Sequence, residues 1–268
     1  MSRPSRLVLL GAPVAHSLSP RMQGAALAAA GMHVSYDAVH VEPAELPRVM
    51  RALAAEGAGG NVTVPHKEAA AAICDELTPM ARRVGAVNTF WSEDGRLIGD
   101  NTDVGGFDAL ARVTLGLLPY DARIAVLGAG GAAAAVLIAA SNWPGASVRV
   151  HARRSARAQA LTSRLGVGVA GHSLADVVAG ADIIVNATPL GLRDGDPFPV
   201  PLRLVERESV LLDLVYRVGR STDWVCAARA DGRRAADGAG MLVEQGALAF
   251  LRWFGVEPDR EVMCRALS

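Results

Sequence analysis

Short apolar runs alternate with alanine-rich stretches of helical length along most of this chain. Each apolar run has the length of a buried strand, and such alternation predicts βαβ units with a mostly parallel sheet. The pattern divides into two series, which a helix predicted over 103–117 joins. The first series has predicted strands over 6–10, 34–41 and 60–64 and a hairpin over 87–91 and 96–99. The second has predicted strands over 124–127, 147–151, 182–186 and 210–214.

Turn and cap residues set the limits of these elements. Ser19 is the predicted N-cap of the first helix, with Pro20 at its first position, and Gly31 ends it. Asp94-Gly95 is the predicted turn of the hairpin. Further helices are predicted over 43–56, 67–74, 79–84 and 241–254. No strand is predicted after the last helix, so it can return to pack on the first domain.

Composition narrows the possible function classes. The 268 residues are 51% hydrophobic and carry no formal net charge. A nucleic-acid-binding protein usually has a basic excess, so that class is disfavoured. Three widely spaced cysteines form neither a disulfide framework nor a metal-ligand spacing, which favours a reducing cytoplasm. No apolar run approaches the roughly 18 residues of a membrane span. We therefore expect a cytoplasmic α/β protein with no metal and no membrane or nucleic-acid partner.

A glycine-rich loop follows the strand predicted over 124–127. Gly128, Gly130 and Ala133 fit the pattern G-x-G-x-x-G/A, and the loop opens a helix. The first glycine permits the tight turn, the second lets the backbone approach a pyrophosphate, and the helix N-terminus offers free N–H groups. A glycine-rich turn without a ligand is the alternative. The strand, loop and helix context favours nucleotide binding.

The end of the next strand indicates which dinucleotide binds. An NAD site needs an acidic residue roughly 20 positions further on, but no Asp or Glu lies between Gly131 and Ala175. Arg153, Arg154 and Arg157 lie there instead, and guanidinium groups bind phosphate oxygens bidentately. A solvated arginine-rich helix start is disfavoured, because cations at a helix N-terminus oppose its dipole unless an anion is bound. The sequence therefore predicts NADP.

Two turns carry candidate catalytic groups. Lys67 follows the strand over 60–64, and Asp103 ends the segment Gly99-Asp100-Asn101-Thr102-Asp103. A lysine and a carboxylate beside a dinucleotide loop indicate hydride transfer coupled to proton transfer at an alcohol or ketone, because a cation stabilises charge developing on oxygen. Simpler alternatives stay open: Lys67 can be solvated, and Asp103 can cap the helix that follows it.

Taken together, these segments resemble those of the NADP-dependent shikimate/quinate dehydrogenase family, and of shikimate dehydrogenase in particular. The motifs that carry the resemblance run in family order over nearly the whole length, at 11–20, 61–67, 85–89, 99–103, 128–133, 186–191, 213–216 and 240–245. The resemblance implies a mostly parallel α/β domain for substrate binding and catalysis, 1–103 completed by 240–268. It also implies a Rossmann-type NADP-binding domain over 104–239, with the C-terminal helix returning to the first domain.

The resemblance also implies an activity and a set of site residues. The implied activity is the reversible NADPH-dependent reduction of 3-dehydroshikimate to shikimate in aromatic amino-acid biosynthesis. Lys67 and Asp103 are the implied catalytic pair. The implied substrate ligands are Ser17, Ser19, Asn61, Thr63, Asn88, Tyr216 and Gln245, with the two serines at the carboxylate. The implied cofactor ligands are Gly128, Ala129, Gly130, Gly131, Ala132, Arg153, Arg154, Arg157, Thr188, Leu214, Gly238 and Met241. A homodimer is a possible assembly.

Departures from the family pattern leave alternatives open. The family usually has a proline within two residues after Tyr216, where this chain has 217–220 and a loop that looks one residue longer. A paralogue that oxidises quinate or shikimate, often with NAD, is one alternative activity, and a non-catalytic NADP-binding regulator is another. For single residues, Ser19 can be only a helix cap, and Asn61 and Asn88 can satisfy turn backbone groups.

Overall fold

The structure is a computed structural model that describes residues 3–116 and 120–268. The described chain divides into two compact units. The first comprises the residues up to Gly106 together with Leu242–Ser268, and the second is Phe107–Met241. Each unit contains a six-stranded sheet with helices, which confirms the predicted two-domain α/β class. The C-terminal part of the chain belongs to the first unit, as predicted.

The first unit is built on a mixed sheet. Its strands are β1 (Leu7–Gly11), β2 (Tyr36–His40), β3 (Gly59–Val62), β4 (Glu76–Leu77), β5 (Thr89–Glu93) and β6 (Arg96–Asp100). Their order is β2-β1-β3-β5-β6-β4. The first three strands are parallel, whereas β5 is antiparallel to both of its neighbours. The carboxyl ends of β1 and β3 therefore lie side by side at one edge of the sheet.

The helices of this unit cover the sheet. They are α1 (Ser19–Ala29), α2 (Leu46–Ala55), α3 (Lys67–Ile73), α4 (Pro79–Val84) and α11 (Arg260–Arg265), with the beginning of α5 (Asp103–Leu115) and most of α10 (Ala239–Phe254). The helix predicted over 241–254 is thus not the last one, because α11 follows it. The helix α11 has only six residues and is capped by the Asp259 side chain, and a helix of this length gives no clear periodic pattern. The predicted end of α5 at Leu117 lies outside the described residues.

Two predicted boundaries, the hairpin turn and the start of α1, can be compared with the structure. The hairpin of β5 and β6 turns at Asp94 and Gly95, whose φ angles of 50° and 76° are those of a type I′ turn. This turn confirms the prediction. Ser19, in contrast, is not the N-cap of α1 as predicted. Leu18 already has helical backbone angles and takes the cap position, and the Ser19 backbone N–H donates to Ser17 Oγ at 3.2 Å.

The second unit is a fully parallel sheet. Its strands are β7 (Arg123–Leu127), β8 (Ser147–His151), β9 (Val169–Ala170), β10 (Ile183–Asn186), β11 (Val210–Asp213) and β12 (Ala235–Ala236). Their order is β12-β11-β10-β7-β8-β9, with every pair parallel. The chain first adds strands on one side of β7 and then on the other. The carboxyl edge at this reversal of strand order is where doubly wound sheets bind ligands.

The helices of the second unit follow its strands. They are α6 (Gly131–Ala140), α7 (Ser155–Leu165), α8 (Leu174–Val178) and α9 (Asp223–Ala230), with the rest of α5. Every residue of α6 from Ala133 onwards is buried, so this helix packs with small and aliphatic side chains on all its faces. The short helix α9, capped by Thr222, was not predicted. Within the described residues, no helix combines the length and apolar character needed to cross a membrane.

The close packing of β1 and β3 makes a prediction about Gly60. A Cβ atom at Gly60 would overlap the carbonyl oxygen of Val8 and lie 2.9 Å from the Val8 backbone nitrogen. Backbone atoms of a neighbouring strand cannot move aside as a flexible side chain can. We expect Gly60→Ala to lower the free energy of unfolding by about 3 kcal/mol or more, at the severe end of single substitutions. Urea unfolding followed by circular dichroism measures this.

Gly24→Ala is the matched control, because a Cβ atom at Gly24 meets nothing within 4 Å in helix α1. Alanine at a helical position of this kind raises stability by about 0.5–1 kcal/mol. Equal unfolding midpoints for the two variants would contradict the prediction.

Candidate active site

Lys67 is the first residue of α3, and buried contacts fix its backbone. The preceding residue, His66, is buried, and its Nε2 lies 2.7 Å from the carbonyl oxygen of Val41. The Lys67 carbonyl accepts a hydrogen bond of 2.8 Å from the Val87 backbone N–H. The turn between β3 and α3 is therefore tied to two other segments of the first unit. His66 was not among the predicted site residues.

The Lys67 ammonium group donates to Asp103 Oδ2 at 2.6 Å. The two side chains are 16% and 5% exposed, so the ion pair is largely shielded from water. The second carboxylate oxygen, Oδ1, accepts from Asn88 Nδ2 at 2.9 Å. Both oxygens of Asp103 are thus engaged, and the ammonium group is held in one place. Lys67 is also the only lysine among the 268 residues.

Asn88 joins Gln245 to this pair. Its Nδ2 lies 3.2 Å from Gln245 Oε1, while the Gln245 amide donates to the Leu242 carbonyl. Asn88 Oδ1 accepts from the Thr102 backbone N–H at 2.8 Å and from Thr89 Oγ1 at 3.1 Å. These contacts decide which end of the Asn88 amide faces Asp103. We call the four predicted residues that meet here, Lys67, Asp103, Asn88 and Gln245, the Lys67 cluster.

Sequence reasoning missed the two threonines that orient Asn88. Thr89 Oγ1 and Thr102 Oγ1 lie 3.1 Å apart, and both side chains are buried. Their only signal was their place in the segments 85–89 and 99–103, next to residues that had already been assigned a role. They act through Asn88, so they belong to the support of the cluster.

Asn61 is held by protein contacts on both ends of its amide. Its Oδ1 accepts from Tyr36 Oη at 2.7 Å, and its Nδ2 donates to the Asn88 carbonyl and to Thr89 Oγ1, both at 3.0 Å. Asn61 therefore satisfies buried backbone, which was the structural alternative for this residue. Its role as a substrate ligand stays a prediction. Tyr36 lies 25 residues away along the chain and carried no sequence signal.

Thr63 lies on the turn after β3, Ser17 lies on the turn after β1, and Ser19 begins α1 directly after that turn. A Cβ atom at Gly11 would overlap Thr63 Cγ2, so the end of β1 and the turn after β3 pack closely. The Ala12 backbone N–H also donates to the Val64 carbonyl at 3.1 Å. The two serine hydroxyl oxygens are 3.2 Å apart. The structure thus places these three residues at the sheet edge that carries Lys67.

The glycine loop of the second unit has the backbone geometry of a phosphate cradle. Gly128 has φ 122°, and a Cβ atom there would lie 2.5 Å from the Ala187 carbonyl oxygen, so only glycine fits. Gly130 caps α6 and faces open space, and Gly131 begins the helix. The first turn of α6 contains no acidic residue. Free N–H groups, a favourable dipole and open space fit the pyrophosphate of a dinucleotide. Ala129 and Ala132 lie in the same loop and first turn.

Arg153, Arg154 and Arg157 surround the N-terminus of α7. All three are exposed, and Arg154 is the N-cap residue. None of them pairs with a carboxylate in the part of the chain that the structure describes. Unpaired cations at a helix N-terminus are unfavourable unless an anion binds. The donor set fits a phosphate group, as the sequence predicts for NADP.

The other predicted cofactor ligands and Tyr216 lie elsewhere in the second unit. A Cβ atom at Gly238 would overlap the Leu214 carbonyl oxygen, so these two residues are packed together. The Thr188 hydroxyl already donates to Asn186 Oδ1 at 2.7 Å within its own loop. Met241 is buried on α10, and Tyr216 follows β11. The binding roles of these residues stay predictions. In the described residues, no group of three or more His, Cys, Asp or Glu could hold a metal ion.

Asp213, at the end of β11, is a buried carboxyl group that sequence reasoning did not single out. Burial raises the pKa of Asp213 to about 6, although three hydrogen bonds oppose the shift. Their donors are Asn186 Nδ2 at 2.8 Å, Thr222 Oγ1 at 2.7 Å and the Val215 backbone N–H at 3.0 Å. The carboxyl group therefore ties the loops after β10 and β11 to the start of α9.

This raised pKa makes a prediction about stability. The folded protein holds the Asp213 proton more tightly than the unfolded chain, so the contribution to stability is full below pH 3.8 and is lost as pH rises through about 6. Asp213→Asn cannot titrate. We expect the unfolding free energy of the wild type, relative to this variant, to fall by on the order of 1–3 kcal/mol between pH 4 and 7. Urea titrations across this range measure the difference, and parallel profiles would contradict the prediction.

Comparison with known proteins is consistent with this geometry. A family model described as the shikimate dehydrogenase substrate binding domain matches residues 9–90, and one described as the shikimate 5'-dehydrogenase C-terminal domain matches 238–267. A third, described as NADP oxidoreductase coenzyme F420-dependent, matches 123–192. That third match spans β7 to β10 and the glycine loop of the second unit.

Similar whole proteins cover nearly the same length. The shikimate dehydrogenase (NADP(+)) of Rubrobacter xylanophilus is 46% identical, over 97% of this chain and 94% of the relative. The structure of shikimate 5-dehydrogenase from Thermus thermophilus in complex with NADP(H) and shikimate is 40% identical, with a TM-score of 0.86 over 98% of each chain. Quinate dehydrogenase from Corynebacterium glutamicum in complex with NAD is 30% identical, with a TM-score of 0.86 over 99% of each chain. The length and degree of these matches show that this chain belongs to the shikimate dehydrogenase family.

Proposed function

We propose that this chain reduces 3-dehydroshikimate to shikimate, reversibly and with NADPH, in aromatic amino-acid biosynthesis. The observation that carries the proposal is the Lys67–Asp103 ion pair, held at both carboxylate oxygens in the unit that matches the substrate-binding family model. The substrate domain is 1–103 completed by 240–268, and the NADP-binding domain is 104–239. We infer a cytoplasmic location from the three free cysteines, which fit a reducing compartment. A homodimer is one assembly open to such an enzyme.

The chemistry of Lys67 follows from its position. Negative charge grows on the carbonyl oxygen of a ketone during reduction, and an ammonium group within hydrogen-bond reach stabilises that charge and can donate the proton. Asp103 keeps the ammonium group from rotating away, and Asn88 keeps Asp103 in place. At 16% exposure, the Lys67 side chain can regain a proton from water.

The polar groups around this pair suit a polyol carboxylate. Amide, hydroxyl and carboxylate groups can bind ring hydroxyls, and the side chains that offer them are Asn61, Thr63, Asn88, Asp103 and Gln245. Ser17 and Ser19 offer hydroxyl donors to a carboxylate from the neighbouring turn. A site that hydrogen-bonds several hydroxyl groups discriminates strongly against analogues that lack one, because its buried polar groups are then left unpaired.

The residues of the second unit would hold the cofactor. The glycine loop takes the pyrophosphate, and the arginines at the start of α7 take the 2′-phosphate. When bound, NADPH supplies the hydride that adds to the carbonyl carbon. The arginine cluster favours NADP over NAD, and so favours this assignment over oxidation of quinate with NAD. The structural similarity to quinate dehydrogenase is the observation that supports that alternative.

Absorbance at 340 nm tests the proposed function directly. The purified protein should reduce NADP with shikimate much faster than it reduces NAD with quinate. Faster turnover of quinate with NAD would establish the paralogue activity instead. Binding of NADPH without turnover of either substrate would establish the non-catalytic regulator.

A single lysine allows a second measurement that does not depend on turnover. Protein labelled with 15N-lysine gives one side-chain NMR signal, from Lys67. We expect shikimate to shift this signal without cofactor present. A protein that turns over shikimate while the signal stays unchanged would place the reacting oxygen away from Lys67.

Replacing Lys67 separates catalysis from binding. Lys67→Ala should lower kcat by about 10²–10⁴-fold, the usual contribution of a positioned acid–base group. The KM for shikimate should change much less, because the ring hydroxyls keep their other ligands. Steady-state kinetics measure both, and thermal unfolding checks the fold. A variant with wild-type kcat removes Lys67 from the mechanism.

Replacing Arg153 tests the choice of cofactor. Arg153→Ala should raise the KM for NADP and leave the KM for NAD nearly unchanged, because NAD has no 2′-phosphate to lose. Added salt should weaken NADP binding more than NAD binding. Arg164→Ala, in the last turn of the same helix, is the control and should alter neither value. Equal losses for both cofactors would overturn the phosphate assignment.

A further inference from the structure

Arg217, in the loop after β11, makes an unusual set of contacts for a loop residue. Its side chain is only 8% exposed. Its Nε donates to the Gly191 carbonyl at 2.8 Å, and its Nη1 lies 2.8 Å from Asp194 Oδ1 and 3.3 Å from Asp223 Oδ2. One guanidinium group thus joins the loop after β10, its own loop and the first turn of α9. We call Arg217 with these three partners the Arg217 clamp.

The clamp is one of two sets of contacts that join these loops. The other set is made by the buried Asp213 carboxyl group at the end of β11, which accepts hydrogen bonds from Asn186 at the end of β10 and from Thr222 at the start of α9. Between these contacts, the loop 214–222 contains no proline and has Gly219 at φ 72°. Its backbone therefore has little intrinsic restraint, and side-chain contacts must define its conformation.

Strand order indicates what these two loops receive. The arginine cluster follows β8 and the glycine loop follows β7, so a dinucleotide bound to both runs along the carboxyl edge from β8 towards β7. The next strands in that direction are β10 and β11. The loop after β10 begins against the glycine loop, since Gly128 packs on the Ala187 carbonyl. The end of the dinucleotide distant from the 2′-phosphate therefore meets the two clamped loops.

Two further features of the loops suit that end of the cofactor. Leu192 and Val218, one on each loop, are exposed to 52% and 59% and offer apolar surface to a flat ring. Arg217 Nη2 is buried with no acceptor among the described residues. Buried donors are normally paired, so an unpaired one marks a position that protein packing alone does not explain.

We propose that Arg217 is a positioning residue for the nicotinamide half of NADP. The proposal rests on the proposed function, because it assumes that the glycine loop and the arginine cluster hold the rest of the cofactor. Arg217 holds the two loops in the arrangement that accepts the ring. Without it, the loops spend only part of the time in that arrangement, and the apparent affinity falls by the same fraction.

Two ligands separate this role from general stability. NADPH carries the nicotinamide, whereas adenosine 2′,5′-bisphosphate carries only the adenosine phosphates. We expect Arg217→Ala to raise the Kd of NADPH by about tenfold, which corresponds to loops that are receptive about a tenth of the time. The Kd of the bisphosphate should change by less than about twofold. Fluorescence titration for NADPH and calorimetry for the bisphosphate measure these constants.

Three further variants distinguish the positioning role of Arg217 from loss of the fold and from a general effect of charge. Arg217→Lys keeps the charge but not the planar fork, so it should restore part of the NADPH affinity. Asp194→Asn removes one carboxylate partner of Arg217, which Arg220 also contacts. The Asp194 side chain is 86% exposed, so the substitution leaves no cavity and should show a smaller loss in the same direction. Arg123→Ala is the control. It removes the bidentate pair with Asp182 at the amino edge of the same sheet and should leave both constants unchanged.

The outcomes distinguish the two proposals. If Arg217→Ala weakens both ligands equally, or if Arg217→Ala and Asp194→Asn leave the Kd of NADPH unchanged, Arg217 does not position the nicotinamide half. If the wild-type protein binds neither ligand, the proposed function fails, and the clamp proposal falls with it. In steady-state kinetics, a rise in the KM for NADP with an unchanged KM for shikimate supports the positioning role.

Discussion

The ion pair of Lys67 and Asp103 is the interaction on which the candidate site depends. Moving an ammonium group out of water costs several kcal/mol unless a carboxylate compensates it at short range. Here the separation is 2.6 Å, and both side chains are largely buried. Neighbouring residues fix the geometry of the pair. His66 anchors the turn that precedes Lys67, and Asn88 donates to the second oxygen of Asp103. Removing either partner would leave the other charge shielded and uncompensated, so the two residues form one unit.

Around this pair, the requirement that buried polar groups be hydrogen-bonded creates a preorganised site. The amides of Asn61 and Asn88 pair with backbone and with threonine hydroxyls before any ligand arrives. Their structural role does not compete with a binding role, because amide and hydroxyl oxygens have further lone pairs to offer. Groups that are fixed in advance need no reorganisation when charge develops on a substrate. The contacts that stabilise the fold of the first unit thus also define the chemistry of its edge.

What could be predicted from the sequence is what depends on neighbouring residues. The turn at Asp94-Gly95 and the glycine loop at 128–133 follow from local backbone demands, and the structure has both. The N-cap at Ser19 was wrong because Leu18 took up helical angles one residue earlier. The tie of Tyr36 to Asn61 spans 25 residues, and that of Asn88 to Gln245 spans 157, so no periodicity could reveal them. The raised pKa of Asp213 likewise comes from burial in the folded sheet.

In the second unit, the loops after β10 and β11 are joined by one buried set of contacts, at Asp213, and by one more exposed set, at Arg217. The tie at Asp213 is buried, and its partners are neutral groups on the strand end, the loop and the helix cap, so salt does not screen it. The tie at Arg217 lies further out, where a buried guanidinium group meets carboxylates that are 48% and 86% exposed. Exposed ion pairs contribute little to stability, but a fork with three acceptors defines a conformation. The Asp213 contacts thus fix the sheet edge, and the Arg217 contacts define the arrangement of the loops that the edge carries.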